Sequence, residues 1–383
     1  MRIAMLGGSF NPIHNGHIAI AEALKTEFAL DEILFIVAMD PPHKQVADDV
    51  AALKRYEMTK LALHGKPGIK ASDIEMLRKG KSYTVDTVRE LKARYAGAQI
   101  YCIVGADMLN SLASWYQPEA LLRETAFIGV ERPGVTGSLN GAAGRLIADY
   151  GADVRLSMFC GPDISSTMVR EAVRDARPIS SLVPYAVQEY IYESALYVPE
   201  KIVDMQEKLR ATLKYERYRH TAGTMAAAIE LAHRFGADAQ KARIAALLHD
   251  CAKRSKQEQL ELADKLGLNI GKCAFALLHG PLGALVAQRE YSVTDEDILT
   301  AIRCHTTCRV GMSKLDKIIY LADKIEPTRD YDGLVPIREM AQSNLNKAVL
   351  MCMERNMLHV EQKGELLDNT ILAAREYIIN NEL

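Results

Sequence analysis

Gly7-Gly8-Ser9-Phe10-Asn11-Pro12-Ile13-His14-Asn15-Gly16-His17 closes an apolar run, turns on glycines and delivers two histidines to the start of a helical stretch. Met1 to Leu6 is short, apolar and bounded by Gly-Gly, which predicts a buried parallel strand, and helical spacing resumes from Ile18 to Phe28. Backbone N–H groups converge where that helix begins, and with the positive end of its dipole they attract an anion. His14 and His17, three residues apart, add donors on one side of the turn. A Gly-rich turn alone is commonly only a turn. Two histidines within it make a candidate phosphate site.

Outward from this stretch, apolar runs alternate with helical ones. Asp31 to Ala38, Ile69 to Ile74, Gln99 to Val104, Ala126 to Val130 and Val154 to Met158 read as strands. Val50 to His64, Thr84 to Tyr95 (capped by Ser82 or Thr84), Leu139 to Tyr150 and Pro184 to Tyr192 read as helices. Such alternation predicts a parallel sheet with ligands at the carboxyl ends of its strands, where Gly7, Asp40, Gly105 and Asp107 all fall. A stiff loop, Pro41-Pro42-His43-Lys44, follows the second strand, and Ile164-Ser165-Ser166-Thr167 puts hydroxyls before a helix that carries Arg170. Trp115, the single tryptophan, follows the Gly105-Ala106-Asp107 strand end.

At 383 residues the chain exceeds what one core usually serves, so two domains are expected. A formal net charge of -2 gives no global reason to expect nucleic acid or a membrane surface as partner. The seven scattered cysteines favour reduced thiols in a cytoplasmic protein, and no signal-peptide or membrane-spanning pattern is found. Cys304 and Cys308 flank His305 without the second pair that a closed zinc site wants. Homo-oligomerisation is compatible with this composition and is left open by it.

The ordered segments His14-Asn15-Gly16-His17, Pro41-Pro42-His43-Lys44, Gly105-Ala106-Asp107 and Ile164-Ser165-Ser166-Thr167-Met168-Val169-Arg170 resemble the H-x-G-H nucleotidyltransferase superfamily. Within it they are similar to the bacterial nicotinate mononucleotide adenylyltransferases, over residues 1–195. The resemblance implies ATP, Mg²⁺ accompanying it, and nicotinate mononucleotide as substrates. It places His14, His17, Lys44 and Arg170 on the triphosphate as the catalytic set. Gly7, Gly8, Ser9, Gly105, Asp107, Ile164, Ser165, Ser166 and Thr167 would bind ATP, and Thr84, Trp115 and Arg132 the mononucleotide. The segments Ser82 to Thr87, Trp115 and Arg132-Pro133-Gly134 argue against the pantetheine-phosphate type of adenylyltransferase. Asn11 stands where many relatives carry aspartate.

Periodicity fades from Ser194 to Val203, around Pro199, and beyond it nearly every run has helical spacing. The expected fold is therefore α/β: a Rossmann-like parallel-sheet nucleotidyltransferase domain at 1–195, then an all-α domain at 204–383. His220, the pair His249-Asp250, His279, His305 and Asp323 stand out there as a set suited to borderline divalent metals. Ala245 to Asp250 ends an apolar helix in adjacent polar groups, whose burial without partners would be costly.

With Lys253 completing H-D-x-x-K, this half resembles the HD-domain phosphohydrolases, and most closely the bacterial family that cleaves diadenosine tetraphosphate symmetrically. By that resemblance His220, His249, Asp250 and Asp323 hold one metal, and Asp250 bridges to a second held by His279 and His305, with iron the expected metal. Lys253, Lys324 and Arg329 would neutralise the polyphosphate of a dinucleotide substrate. The competing expectation keeps the transferase and makes the helical half a nucleotide-sensing regulatory module or a hydrolase of another nucleotide.

Overall fold

The computed structural model describes residues 1–39, 50–78, 82–131, 139–270, 275–364 and 367–383. Lys44 and Arg132, with Asp40 to His43, Pro133 and Gly134, lie outside the described residues. The chain divides into two compact units, one of Met1–Glu171 with Ile179–Tyr190, the other of Ala172–Pro178 with Ile191–Leu383.

The first unit is built on a six-stranded parallel sheet: β1 (Arg2–Gly8), β2 (Glu32–Val37), β3 (Ile69–Ser72), β4 (Gln99–Gly105), β5 (Ala126–Glu131) and β6 (Val154–Cys160). The spatial order is β3-β2-β1-β4-β5-β6. Every residue of β2 is buried, as is nearly all of β4 and β5, which is why these strands read as unbroken apolar runs. β6, at the edge, exposes part of its length. Helices α1 (Asn15–Glu27), α2 (Ala52–Leu63), α3 (Thr84–Arg94), α4 (Ala106–Ser111), α5 (Pro118–Glu124), α6 (Leu139–Tyr150), α7 (Ser166–Arg174) and α8 (Tyr185–Glu193) connect or follow the strands. On one face Val85, Val88, Leu91, Leu109, Leu121 and Leu146 pack with Ile3, Ile100 and Phe127 into a closed core. The strand order reverses between β1 and β4, so the ends of these two strands flank the crevice that doubly wound sheets use for ligands.

Neither Ser82 nor Thr84 occupies the cap position of α3. Thr84 is the first helical residue of α3, and the cap position belongs to Tyr83, whose side chain makes no capping hydrogen bond. Thr87, in the first turn, instead accommodates the buried Glu75, donating to its carboxylate at 2.8 Å.

In the described part of the second unit there are helices and no strands. They are α9 (Glu200–Thr212), α10 (Tyr215–Phe235), α11 (Ala239–Leu248), α12 (Lys256–Leu266), α13 (His279–Glu290), α14 (Glu296–Cys304), α15 (Lys314–Ile325), α16 (Leu334–Met340), α17 (Leu345–Gln362) and α18 (Asn369–Asn381). The aperiodic stretch around Pro199 conceals a helix start: Pro199 is the cap of α9, a place where its ring fits. α10 packs against both α11 and α15, and α14 joins α11, α13 and α15. Asp238, Ser255, Asp295 and Ser313 each cap the helix that follows through a side-chain oxygen. Among the described residues no helix is long and apolar enough to cross a membrane. The six described cysteines are free thiols.

Phe127 is fully buried in the sheet core that Trp115 also packs against. Phe127→Ala should lower the unfolding free energy of this unit by about 3–5 kcal/mol. The measurement is the urea midpoint of the transition reported by Trp115 fluorescence; an unchanged midpoint would contradict the packing.

Candidate functional site

In the first unit, the turn after β1 feeds directly into α1, and His14 is the residue before its first turn. The rings of His14 and His17 stack with centroids 3.7 Å apart. Gly16 makes that stack feasible, because a Cβ there would lie 3.0 Å from His14 Nδ1. The His14 amide donates to His17 Nδ1 at 3.3 Å, so in the neutral ring of His17 the proton sits on Nε2.

Arg170 arrives from α7: it donates to the carbonyl of Asn11 at 2.8 Å and to the Thr167 hydroxyl at 3.2 Å. Ser166 donates to the carbonyl of Pro12 at 2.8 Å, while Ser165 accepts from the Met168 amide at 3.1 Å. The start of α7 is thus bonded to the histidine-bearing turn. Gly7 and Gly8 end β1, Gly105 ends β4, and Asp107 is exposed in the first turn of α4. Trp115 lies half-buried against the core, its indole N–H on the Ser111 hydroxyl at 3.2 Å, and beside it Tyr83 and Tyr116 stack 4.2 Å apart. Thr84 is half-buried at the start of α3.

Arg55 was not singled out in the sequence, yet it is a fully buried cation that braces this end of the sheet. It donates to the carbonyls of Ser9 at 2.6 Å, Val50 at 3.1 Å and Met39 at 3.4 Å, tying together the chain after β1 and after β2.

In the second unit, helix ends converge on two buried carboxylates. His220 comes from within α10, His249 and Asp250 follow the last residue of α11, His279 opens α13, His305 follows α14, and Asp323 sits in the last turn of α15. All six are buried. Asp250 faces two ways: Oδ2 lies 3.6 Å from His249 Nε2, whereas Oδ1 lies 3.4 Å from His279 Nε2 and 3.6 Å from His305 Nε2. Asp323 Oδ1 lies 3.0 Å from His220 Nε2 and 3.8 Å from His249 Nε2. Three overlapping groups of ligand atoms result: His220 with His249 and Asp250, His249 with His305 and Asp323, and Asp250 with His279 and His305. Within each, the atoms lie inside 4.8 Å of one another.

Two histidines are aimed by the same local device. The last carbonyls of a helix lack intrahelical partners, and the Nδ1 atoms of His249 and His305 each sit 2.7 Å from such a carbonyl, Ala246 and Ile302 respectively. Each ring therefore turns Nε2 into the cluster. His249 Nε2 is buried and, among the described residues, has no hydrogen-bond partner. Burial, only partly offset by Asp250 and Asp323, pushes the His249 pKa down to about 4. Burial and the neighbouring His305 push His279 down to about 3. Both are neutral donors at pH 7. Burial opposes ionisation of Asp250 and Asp323, but the histidines around Asp250, and Lys324 with His220 beside Asp323, hold both carboxyls well below the usual range. Burial opposes protonation of His220, but Asp323 and Glu326 outweigh it and raise its pKa. Neutral His249 and His279 beside ionised carboxylates, with the His249 Nε2 orphaned, form a donor set that fits divalent metal.

Cations surround this set. Lys324 Nζ donates to Asp323 Oδ2 at 2.7 Å, and Arg329 Nη2 to Asp323 Oδ1 at 2.7 Å. Lys253 Nζ lies 3.0 Å from His279 Nδ1, and burial lowers its pKa. Two participants escaped the sequence reading. Arg217, one turn before His220, donates to Asp250 Oδ2 at 2.8 Å, and Glu326 places its carboxylate 3.0 Å from His220 Nδ1. The i, i+3 spacing of Arg217 and His220 was the available signal for the first.

Residues 5–172 match the cytidylyltransferase-like family and residues 217–328 the HD domain. A probable nicotinate-nucleotide adenylyltransferase of Citrifermentans bemidjiense is 42% identical over 214 residues, covering 52% of this chain and 99% of the relative. The nicotinate-nucleotide adenylyltransferase of Bacillus subtilis is 40% identical over 196 residues, covering 51% of this chain and 98% of its own. A crystal structure described as a predicted HD superfamily hydrolase involved in NAD metabolism, from Clostridium acetobutylicum, is 37% identical with a TM-score of 0.45, covering 47% of this chain and 98% of that one.

Asp250 touches both halves of the ligand set, so Asp250→Ala should strip bound metal from the full chain. After Co²⁺ loading and desalting, elemental analysis should show the loss in this variant and wild-type content in His233→Ala, an exposed position on the same α10. Equal metal in Asp250→Ala and wild type would refute the arrangement.

Proposed function

Since this chain belongs to the nicotinate-nucleotide adenylyltransferase family and carries an HD domain behind that region, we propose that it is a bifunctional enzyme that forms one phosphoanhydride and hydrolyses another. In the first half, a phosphate oxygen of nicotinate mononucleotide attacks the α-phosphorus of ATP. The new P–O bond forms as the α–β anhydride bond breaks, giving the deamido dinucleotide and pyrophosphate, with Mg²⁺ entering as part of the ATP substrate. The nucleophile is already anionic, so positioning and charge stabilisation suffice.

The observation that carries this half is the stacked His14–His17 pair at the head of α1, beside the point where the strand order reverses. His17 presents Nε2–H, α1 adds the positive end of its dipole, and Arg170, held by Asn11 and Thr167, adds fixed positive charge. Lys44 completes the triphosphate contacts by the family resemblance. Gly7, Gly8, Ser9, Gly105, Asp107 and Ile164 to Thr167 take ATP, and Thr84, Trp115 and Arg132 the mononucleotide.

In the second half we assign hydrolysis of a dinucleotide polyphosphate, diadenosine tetraphosphate, to two ADP by attack of water and rupture of the central P–O–P bond. The supporting observation is Asp250, whose two carboxylate oxygens face different histidine sets. His220, His249, Asp250 and Asp323 would hold one divalent metal, which we assign as iron, and Asp250, His279 and His305 a second. Such metals supply positive charge to phosphoryl oxygens and acidify water. Lys253, Lys324, Arg329 and Arg217 line the same cluster and can exchange their internal contacts for phosphate oxygens.

His17→Ala should lower dinucleotide formation about 100-fold or more while sparing the fold, as loss of a transition-state donor does; near-wild-type turnover would sink the assignment. The acid mononucleotide should have the higher kcat/KM, since buried polar recognition separates it from the amide; equal constants for both would contradict that. With diadenosine tetraphosphate, the full chain should release ADP alone and Asp250→Ala nothing. Release of AMP with ATP would keep a hydrolase and remove the symmetric assignment; no cleavage by the metal-loaded wild type would leave the nucleotide-sensing alternative.

A further inference from the structure

His220 differs from His249 and His305 in where its acceptor must come from. Those two follow helix ends and borrow a free carbonyl of their own last turn. His220 lies inside α10, where carbonyls are already engaged in the helical ladder. Its Nδ1 acceptor has to be imported from another element, and the side chain that arrives is Glu326, 106 residues further along the chain.

The carboxylate of Glu326 is fully buried, a costly position unless every oxygen is engaged. Oε1 lies 3.0 Å from His220 Nδ1, and Thr328 donates to the same oxygen from its hydroxyl and to Oε2 from its amide at 2.7 Å. The backbone of α10 is shaped to receive it. Gly223, one turn after His220, faces Glu326, and a Cβ there would lie 2.5 Å from Oε2. Asp323 and Glu326 sit three residues apart at the end of α15, so one stretch supplies a carboxylate to each nitrogen of the same ring: Asp323 to Nε2 and Glu326 to Nδ1, both at 3.0 Å.

We propose that Glu326 is a positioning residue for the metal centre: it keeps the His220 proton on Nδ1, locks the ring plane and leaves the Nε2 lone pair directed at the metal, with Gly223 holding the space that this requires. The inference rests on the reading of His220 as a ligand. A histidine so oriented by a carboxylate is a stronger and better-aimed ligand, and removing such a partner typically weakens metal affinity about 10- to 100-fold.

The test is titration of Co²⁺ into the metal-free full chain, followed by calorimetry and by the visible absorption of the bound ion. Wild type should take up Co²⁺ with resolvable affinity. Glu326→Gln should unfold in its metal-free form at the wild-type temperature yet bind at least one Co²⁺ equivalent about 10- to 100-fold more weakly, with an altered absorption band. Glu326→Ala should lose more than Glu326→Gln, whose amide oxygen can still accept from Nδ1. Gly223→Ala, which leaves the carboxylate in the chain and only displaces it, should shift affinity in the same direction and decides the matter if the Glu326 variants fail to fold. Wild-type Co²⁺ affinity in whichever of these variants folds overturns the positioning role while leaving His220 a ligand. Absence of Co²⁺ binding by wild type overturns the ligand reading and this inference with it.

Discussion

A carboxylate that is buried and ionised has to be surrounded, and in the helical unit that requirement organises everything near Asp250 and Asp323. Neither acid could hold its charge inside a helical core on hydrophobic packing alone. The ends of α11, α14 and α15 and the start of α13 are brought to one place, and α10 runs past it with His220 and Arg217 on one face. Helix ends suit the purpose. Their unsatisfied carbonyls aim His249 and His305 without any further residue, so the fold supplies orientation from backbone that would otherwise need capping.

The sheet unit solves the opposite problem. In the adenylyltransferase proposed above, its site would receive anions chiefly with groups that carry little formal charge of their own: the dipole at the head of α1, the ring nitrogens of His14 and His17, and the hydroxyls before and in α7. Parallel strand order creates the opening, because the reversal between β1 and β4 leaves their carboxyl ends uncovered by a shared crossover. Arg55 and Arg170 then work on backbone carbonyls, fixing the turn from both sides.

How far the sequence could be read follows from the range of the interactions involved. Strands buried on both faces announce themselves as apolar runs, so the parallel sheet and the order of its elements were legible from β1 to β6. Of the six side chains that meet in this cluster, five were legible as histidine and aspartate at helix ends, and His220, inside α10, by its residue type. Helices α12, α13 and α16 were not, α13 because His279-Gly280-Pro281-Leu282-Gly283 reads locally as a breaker. A proline in the first turn costs nothing there, since its missing N–H would have no helical partner. Glu326, Arg217 and Arg55 escaped for a different reason. Each is an ordinary charged residue within its own segment, and its partner lies far away in the chain: Asp250 is 33 residues from Arg217, and Ser9 is 46 from Arg55.

Net charge illustrates the same limit from the other side. A formal value of -2 over 383 residues predicts no particular partner, yet it conceals close pairs of opposite charge. Around Asp323 alone, Lys324 and Arg329 each make a contact at 2.7 Å, and Arg217 meets Asp250 at 2.8 Å. Those cations neutralise the two acids. In the hydrolase proposed above, His220, His249, Asp250, His279, His305 and Asp323 would hold divalent metal that supplies that positive charge, and the ammonium and guanidinium groups, still held close by their helices, would be available to a polyphosphate. On that proposal the charge that pairs with the two acids is also the charge that would meet the substrate, which is why these residues belong with the cluster although none is itself a metal-type ligand.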